Sequence, residues 1–168
     1  MSPLVRRTLA PRGKTPILKT KAKHREKVSV TAALTISPHR HRLRLYWQTY
    51  PQSFVNAERA ADFLRALMRH LHGAVIVVWD GGPMHKGKPI QQVLHEFPRL
   101  LLERLPPYAP ELNPVEYIWA YWKQHELPNV CPKDYWQLGQ AARQTLRRMR
   151  RRPQLIAAFW KQASLWPE

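Results

Sequence analysis

The chain has 168 residues, a length that suits one compact domain burying roughly 70% of its unfolded surface without disulfide staples. Apolar residues make up 44%, which excludes a wholly disordered protein. Lys and Arg number 28 against 11 Asp and Glu, a net charge of +17, which favours a polyanionic partner, most simply nucleic acid. The single cysteine, Cys131, allows no internal disulfide framework and suits a reducing compartment. The longest strongly apolar run, Ala74 to Trp79, is far short of the ~20 residues of a membrane span. Arg6 and Arg7 lead into Pro11, Arg12, Gly13 and Lys14 rather than an apolar stretch, so no signal peptide is read. A cytoplasmic protein without a membrane partner is expected.

Residues 1–27 carry nine Lys and Arg and one acid, Glu26, and their prolines oppose a long helix. They form a basic irregular segment ahead of the main body, residues 28–168. Val28, Val30, Ala32, Leu34 and Ile36 alternate with polar or small residues, a strand pattern. After a polar turn, Leu43, Leu45 and Trp47 resume it, which predicts an antiparallel hairpin. Asn56 caps a helix whose apolar face is Ala60, Phe63, Leu64, Leu67, Met68 and Leu71, ended by Gly73. Ala74 to Trp79 is apolar without alternation, as in a strand covered on both faces. Pro89 opens a helix that Pro98 stops, and Leu100 to Leu102 starts a short strand. Leu105 to Pro110 reads as a stiff extended loop. Asn113 caps, and Pro114 starts, a helix with Val115, Ile118, Trp119 and Trp122 on its buried stripe. Pro132 and Asp134 introduce a helix through about Arg152, and Pro153 begins a short terminal one. Strands alternating with helices predict an α/β fold with a mixed sheet.

Two carboxylates stand out. Asp80 ends an apolar strand, the end at which open α/β sheets build their sites; an Asp before Gly81-Gly82 is also an ordinary turn former. Glu116 sits in the first turn of a helix, where Asn113-x-x-Glu116 also matches a capping box. Their flanks are more specific. Val-Val-Trp-Asp80 with His85 downstream, then Leu105-Pro-Pro-Tyr-Ala-Pro-Glu-Leu-Asn-Pro-Val-Glu116-Tyr-Ile-Trp119, resembles the DDE transposases of bacterial insertion sequences related to the Tc/mariner group. Thirty-five residues stand between Asp80 and Glu116, the interval that family uses between its second and third catalytic acids. The resemblance runs over nearly the whole chain.

It implies an RNase H-like mixed sheet flanked by helices, and two-metal phosphoryl transfer with Mg²⁺ or Mn²⁺ at a phosphodiester. Asp80 and Glu116 would be catalytic metal ligands, and His85 matches a histidine that follows the second acid. Gly81 stands where many relatives carry Asn. Tyr108, Asn113 and Trp119 would shape the loop and seat the helix. The partners implied are double-stranded DNA, as transposon ends and target, and a second copy or an intact transposase. A nucleoid-associated place of action follows.

The family's first catalytic Asp lies on a central strand just before the segment resembling Pro3 to Gly13, and no acid precedes Glu26 here. The expectation is therefore a catalytic-domain portion, without the central first strand and without a helix-turn-helix region, and inactive alone. The alternative is a non-catalytic basic DNA-binding or interfering transposase remnant. Arg6, Arg7, Arg12, Lys14, Lys19, Lys21 and Lys23 form one basic cluster; Arg147, Arg148 and Arg151, beside Arg143, Arg150 and Arg152, form another. Both are expected to contact DNA phosphates.

Overall fold

A computed structural model describes residues 9–14, 17, 28–37, 39, 41–130, 132 and 134–164. Arg6, Arg7, Lys19, Lys21, Lys23, Glu26 and Cys131 lie outside them. The hairpin forms as its alternation predicts. β1 (Val28–Ile36) pairs antiparallel with β2 (Leu43–Pro51), Leu34 opposite Leu45 and Ala32 opposite Trp47. Period two puts Val30, Ala32, Leu34, Leu43, Leu45 and Trp47 on one face, which packs on a core with Ile118, Trp122, Leu146 and Phe159. The other face meets α1 (Ala57–His70): the Tyr50 hydroxyl donates to the Arg59 carbonyl at 3.3 Å, and the Arg59 guanidinium lies 4.9 Å over the Tyr50 ring.

Asn56 caps α1 by accepting from the Arg59 N–H. β3 (Val75–Trp79) runs parallel to β4 (Leu100–Arg104), with α2 (Lys88–Glu96) as the crossover. A second core holds Ala61, Leu64, Met68, Val93 and Leu100 between these elements. Arg65 joins α1 to α2 by two hydrogen bonds to Glu96, both 2.8 Å. Arg99 donates to the carbonyls of Met68 and Gly73, closing the end of α1.

Asn113 caps α3 (Pro114–Tyr121), with Pro114 at its first position. The helix then widens into a π turn over Trp122–Glu126. Asp134 caps α4 (Tyr135–Arg150) by accepting from Gln137, and α5 (Pro153–Gln162) closes the first core with Ile156 and Phe159. Trp122 sits at the centre, its indole N–H donating to the buried Thr145 hydroxyl at 2.6 Å.

The mixed α/β architecture is as expected, the described strands forming one antiparallel and one parallel pair. Two expectations change. β3 is covered on one face only: Val75, Val77 and Trp79 pack on the second core, while Ile76 is 63% exposed and Val78 48%. An apolar run alone does not tell a strand covered on both faces from one covered on a single face. Leu105 to Pro110 is bent rather than extended. Tyr108 takes a left-handed φ of 58°, its ring wholly exposed, and a 3₁₀ turn follows at Pro110–Leu112. Tyr108 therefore packs against nothing and does not seat the helix. Among the described residues no helix is long and apolar enough to cross a membrane.

Candidate active site

Asp80 leaves the carboxyl end of β3, where the Trp79 carbonyl accepts from the Leu105 N–H at 2.8 Å and holds the loop after β4 beside it. Its side chain closes a turn: Oδ1 accepts the Gly82 N–H at 2.8 Å. The turn-forming reading of Asp80 is thus realised, and it fixes one carboxylate oxygen only. His85 Nε2 stands 3.2 Å from the same oxygen, while its ring stacks on Trp79 with centroids 4.2 Å apart. The short 3₁₀ turn Pro83–His85 brings the imidazole back over the strand end. Burial pushes the His85 imidazole below its usual range, and the Asp80 carboxylate partly counters that. A neutral ring donating from Nε2 satisfies this geometry; its buried Nδ1 then finds no hydrogen-bond partner among the described residues.

Gly82 is required here by space rather than by backbone freedom. A Cβ built at this position would lie 2.8 Å from Asp80 Oδ1 and 2.6 Å from Met84 Sδ. The neighbouring Gly81 has nothing within 4 Å of the same point. Of the two glycines that follow Asp80, only Gly82 is crowded.

Glu116 lies in the exposed first turn of α3. The capping box does not form: the Asn113 N–H donates to the Pro110 carbonyl at 3.0 Å, and Asn113 Oδ1 caps through Val115. Among the described residues the Glu116 carboxylate takes no part in that cap, and Glu116 is exposed. Trp119 seats the helix by tilting against Trp122, centroids 5.8 Å apart. Carboxylate oxygens are hard donors that suit Mg²⁺ or Mn²⁺. Among the described residues, however, no three His, Cys, Asp or Glu side chains gather to hold a metal ion. Asp80 and His85 are brought together; no described contact joins either to Glu116.

The basic residues divide. Arg12 and Lys14 are exposed on a turn closed by Lys14 N–H to Pro11 carbonyl. Arg148 and Arg152 both bind Glu126, at 2.6 and 3.1 Å, and the Glu126 side chain is only 5% exposed. Arg151 is exposed at the end of α4. Arg143, Arg147 and Arg150 line a groove against β2 and α1. The Glu126 anchor escaped the sequence reading because it depends on the π turn, which no motif announced.

A family profile described as DDE superfamily endonuclease matches residues 2–138. No curated protein sequence matches the chain. Among solved structures, the Mos1 transposase paired-end complex with left transposon end is similar at a TM-score of 0.53 and 19% identity, over 99% of this chain and 52% of that one. The Mos1 strand transfer complex follows at 0.50 and 18%, with the same shares, 99% and 52%. The Mos1 catalytic domain with raltegravir and magnesium gives 0.46 and 18%, over 84% of this chain and 85% of that one. The first two similarities establish the fold, and the chain spans about half the length of those two chains.

Proposed function

The chain belongs to the DDE superfamily of endonucleases, and from that membership we propose that it serves the cutting and joining of DNA strands as catalytic-domain sequence of a transposase. The observation that carries the reading is Asp80 at the end of β3, one oxygen fixed by Gly82 and His85 while the other stays open. Asp80 and Glu116 are its two metal-ligating acids. When bound, a divalent cation such as Mg²⁺ or Mn²⁺ activates the attacking oxygen and stabilises the leaving one at a phosphodiester. The residues of this chain orient and bind. Gly82 and His85 hold one oxygen of Asp80, and the Asn113 cap leaves Glu116 exposed in the first turn of α3. A third carboxylate, on a strand joining the two strand pairs, would complete the donor set. The substrates are then double-stranded DNA as transposon ends and target, with a second copy or an intact transposase as partner and the nucleoid as the place of action.

A second reading, DNA binding without cutting, is favoured by the absence of a third donor among the described residues. Nicking of supercoiled plasmid separates the two. The enzyme reading expects nicking that requires Mg²⁺ or Mn²⁺ and falls about 100-fold or more in Asp80→Asn and Glu116→Gln, with DNA affinity within twofold. If the chain, alone and mixed with a segment supplying the joining strand, binds DNA but never nicks, the non-catalytic reading stands.

A further inference from the structure

We infer that the groove between β2, α1 and α4 is a binding site for single-stranded DNA, distinct from the Asp80 strand end and resting on the DNA-processing reading above. The groove has a volume of about 460 Å³, the size of a small-ligand cleft.

Its charge is unbalanced by construction of the helix. Arg143, Arg147 and Arg150 follow the i, i+4, i+7 spacing that puts side chains on one face of α4, and all three line the groove. No Asp or Glu lines it. The contrast within the same run of arginines is the argument. Arg148 and Arg152 are neutralised by the nearly buried Glu126, whereas no ion pair engages Arg143, Arg147 or Arg150 among the described residues. Arg143 reaches only the Thr49 hydroxyl, at 3.5 Å.

The walls supply the rest. The Arg150 guanidinium lies 4.9 Å over the Trp47 ring, and Tyr46 with His70, ring centroids 6.2 Å apart, stands on the α1 side. Arg150 already covers Trp47, so Tyr46 and His70 offer the rings on which a base stacks, beside Arg143 and Arg147, which no ion pair engages among the described residues and which bind its phosphates. A protein partner of acidic composition would use the charge but leave the aromatic walls without a role.

The test is binding of a fluorescein-labelled oligothymidine by the full chain across a salt series, without divalent cation. Arg143→Gln with Arg147→Gln is expected to weaken binding about tenfold or more. It is also expected to reduce the slope of log affinity against log salt by about 1.4, at roughly 0.7 per lost phosphate contact. Lys161→Gln removes a like charge from the exposed face of α5, away from the groove, and is expected to change little; far-UV circular dichroism of all variants verifies the helices. A milder Arg147→Gln, at an exposed position, covers the case in which the pair does not fold, with a slope change of about 0.7. Equal losses for Lys161→Gln and the groove variants overturn the site, as does an unchanged slope. Tighter, equally Arg-dependent binding of duplex overturns the single-strand assignment. Asp80→Asn is expected to leave this binding intact. Loss of nicking with retained groove binding therefore concerns the catalytic reading alone.

Discussion

The hairpin β1–β2 and the parallel pair β3–β4 are covered differently. The hairpin has α3, α4 and α5 on one face and α1 on the other, and its core closes around Trp122, 1% exposed. The parallel pair packs one face on α1 and α2 and leaves Ile76, Val78 and Leu101 facing water. Yet the thinly covered unit carries Asp80. Burial and candidate chemistry are thus separated: the better packed half supplies rigidity, and the half with an open face supplies the carboxylate.

The largest effect should come from testing that asymmetry by truncation. Trp122→Ala removes a buried ring and its hydrogen bond to the Thr145 hydroxyl, and is expected to cost about 3–5 kcal/mol. Ile76→Ala on the bare face is expected to cost under about 0.5 kcal/mol. Urea unfolding midpoints read both, and equal losses would erase the distinction between the halves.

A middle-sized effect concerns the turn at Asp80. Gly82→Ala forces a methyl against Asp80 Oδ1 and is expected to lower metal-dependent nicking about 100-fold by misplacing the carboxylate. Gly81→Ala, with open space around it, is expected to leave nicking unchanged. Assays of the two variants side by side sharpen the claim that the strand end, not general loop mobility, sets the site.

The smallest effect lies on the surface of the thinner half. The Arg65 guanidinium holds the Glu96 carboxyl below its usual range. A lowered folded value means that this pair contributes above the ordinary carboxylate range and that its contribution is lost as pH falls through the lowered value. Glu96 is exposed and Arg65 partly so, and Glu96→Gln should therefore shift the thermal midpoint only slightly at neutral pH, less in high salt, and not at all in strong acid. A large, salt-insensitive shift would show that the clamp carries the α1–α2 packing.

Most of the architecture was legible because it is local. Alternation gave the hairpin, and Asn56, Asn113 and Asp134 all cap as short polar residues ahead of apolar periodicity do. Asp80 was legible from its place after an apolar run. What covers Ile76 was not, since an apolar strand reads alike whether a partner meets one face or two. The steric need for Gly82 was hidden because it arises from side chains two and three residues away folding back on it. The pairing of Arg148 and Arg152 with Glu126 spans 22 and 26 residues, and no periodicity reaches that far.

The order of the two cores along the chain also bears on how the molecule assembles. The second core draws its residues from a continuous stretch, Ala60 to Leu102. The first must bring Val30 to Trp47 against partners that begin at Tyr117. Short-range closure is fast and distant closure slow. Emerging from the ribosome, the hairpin is therefore made before both its packing partners and the second core, yet is among the last of the described elements to find its neighbours, waiting as an apolar ribbon while the stretch behind it folds.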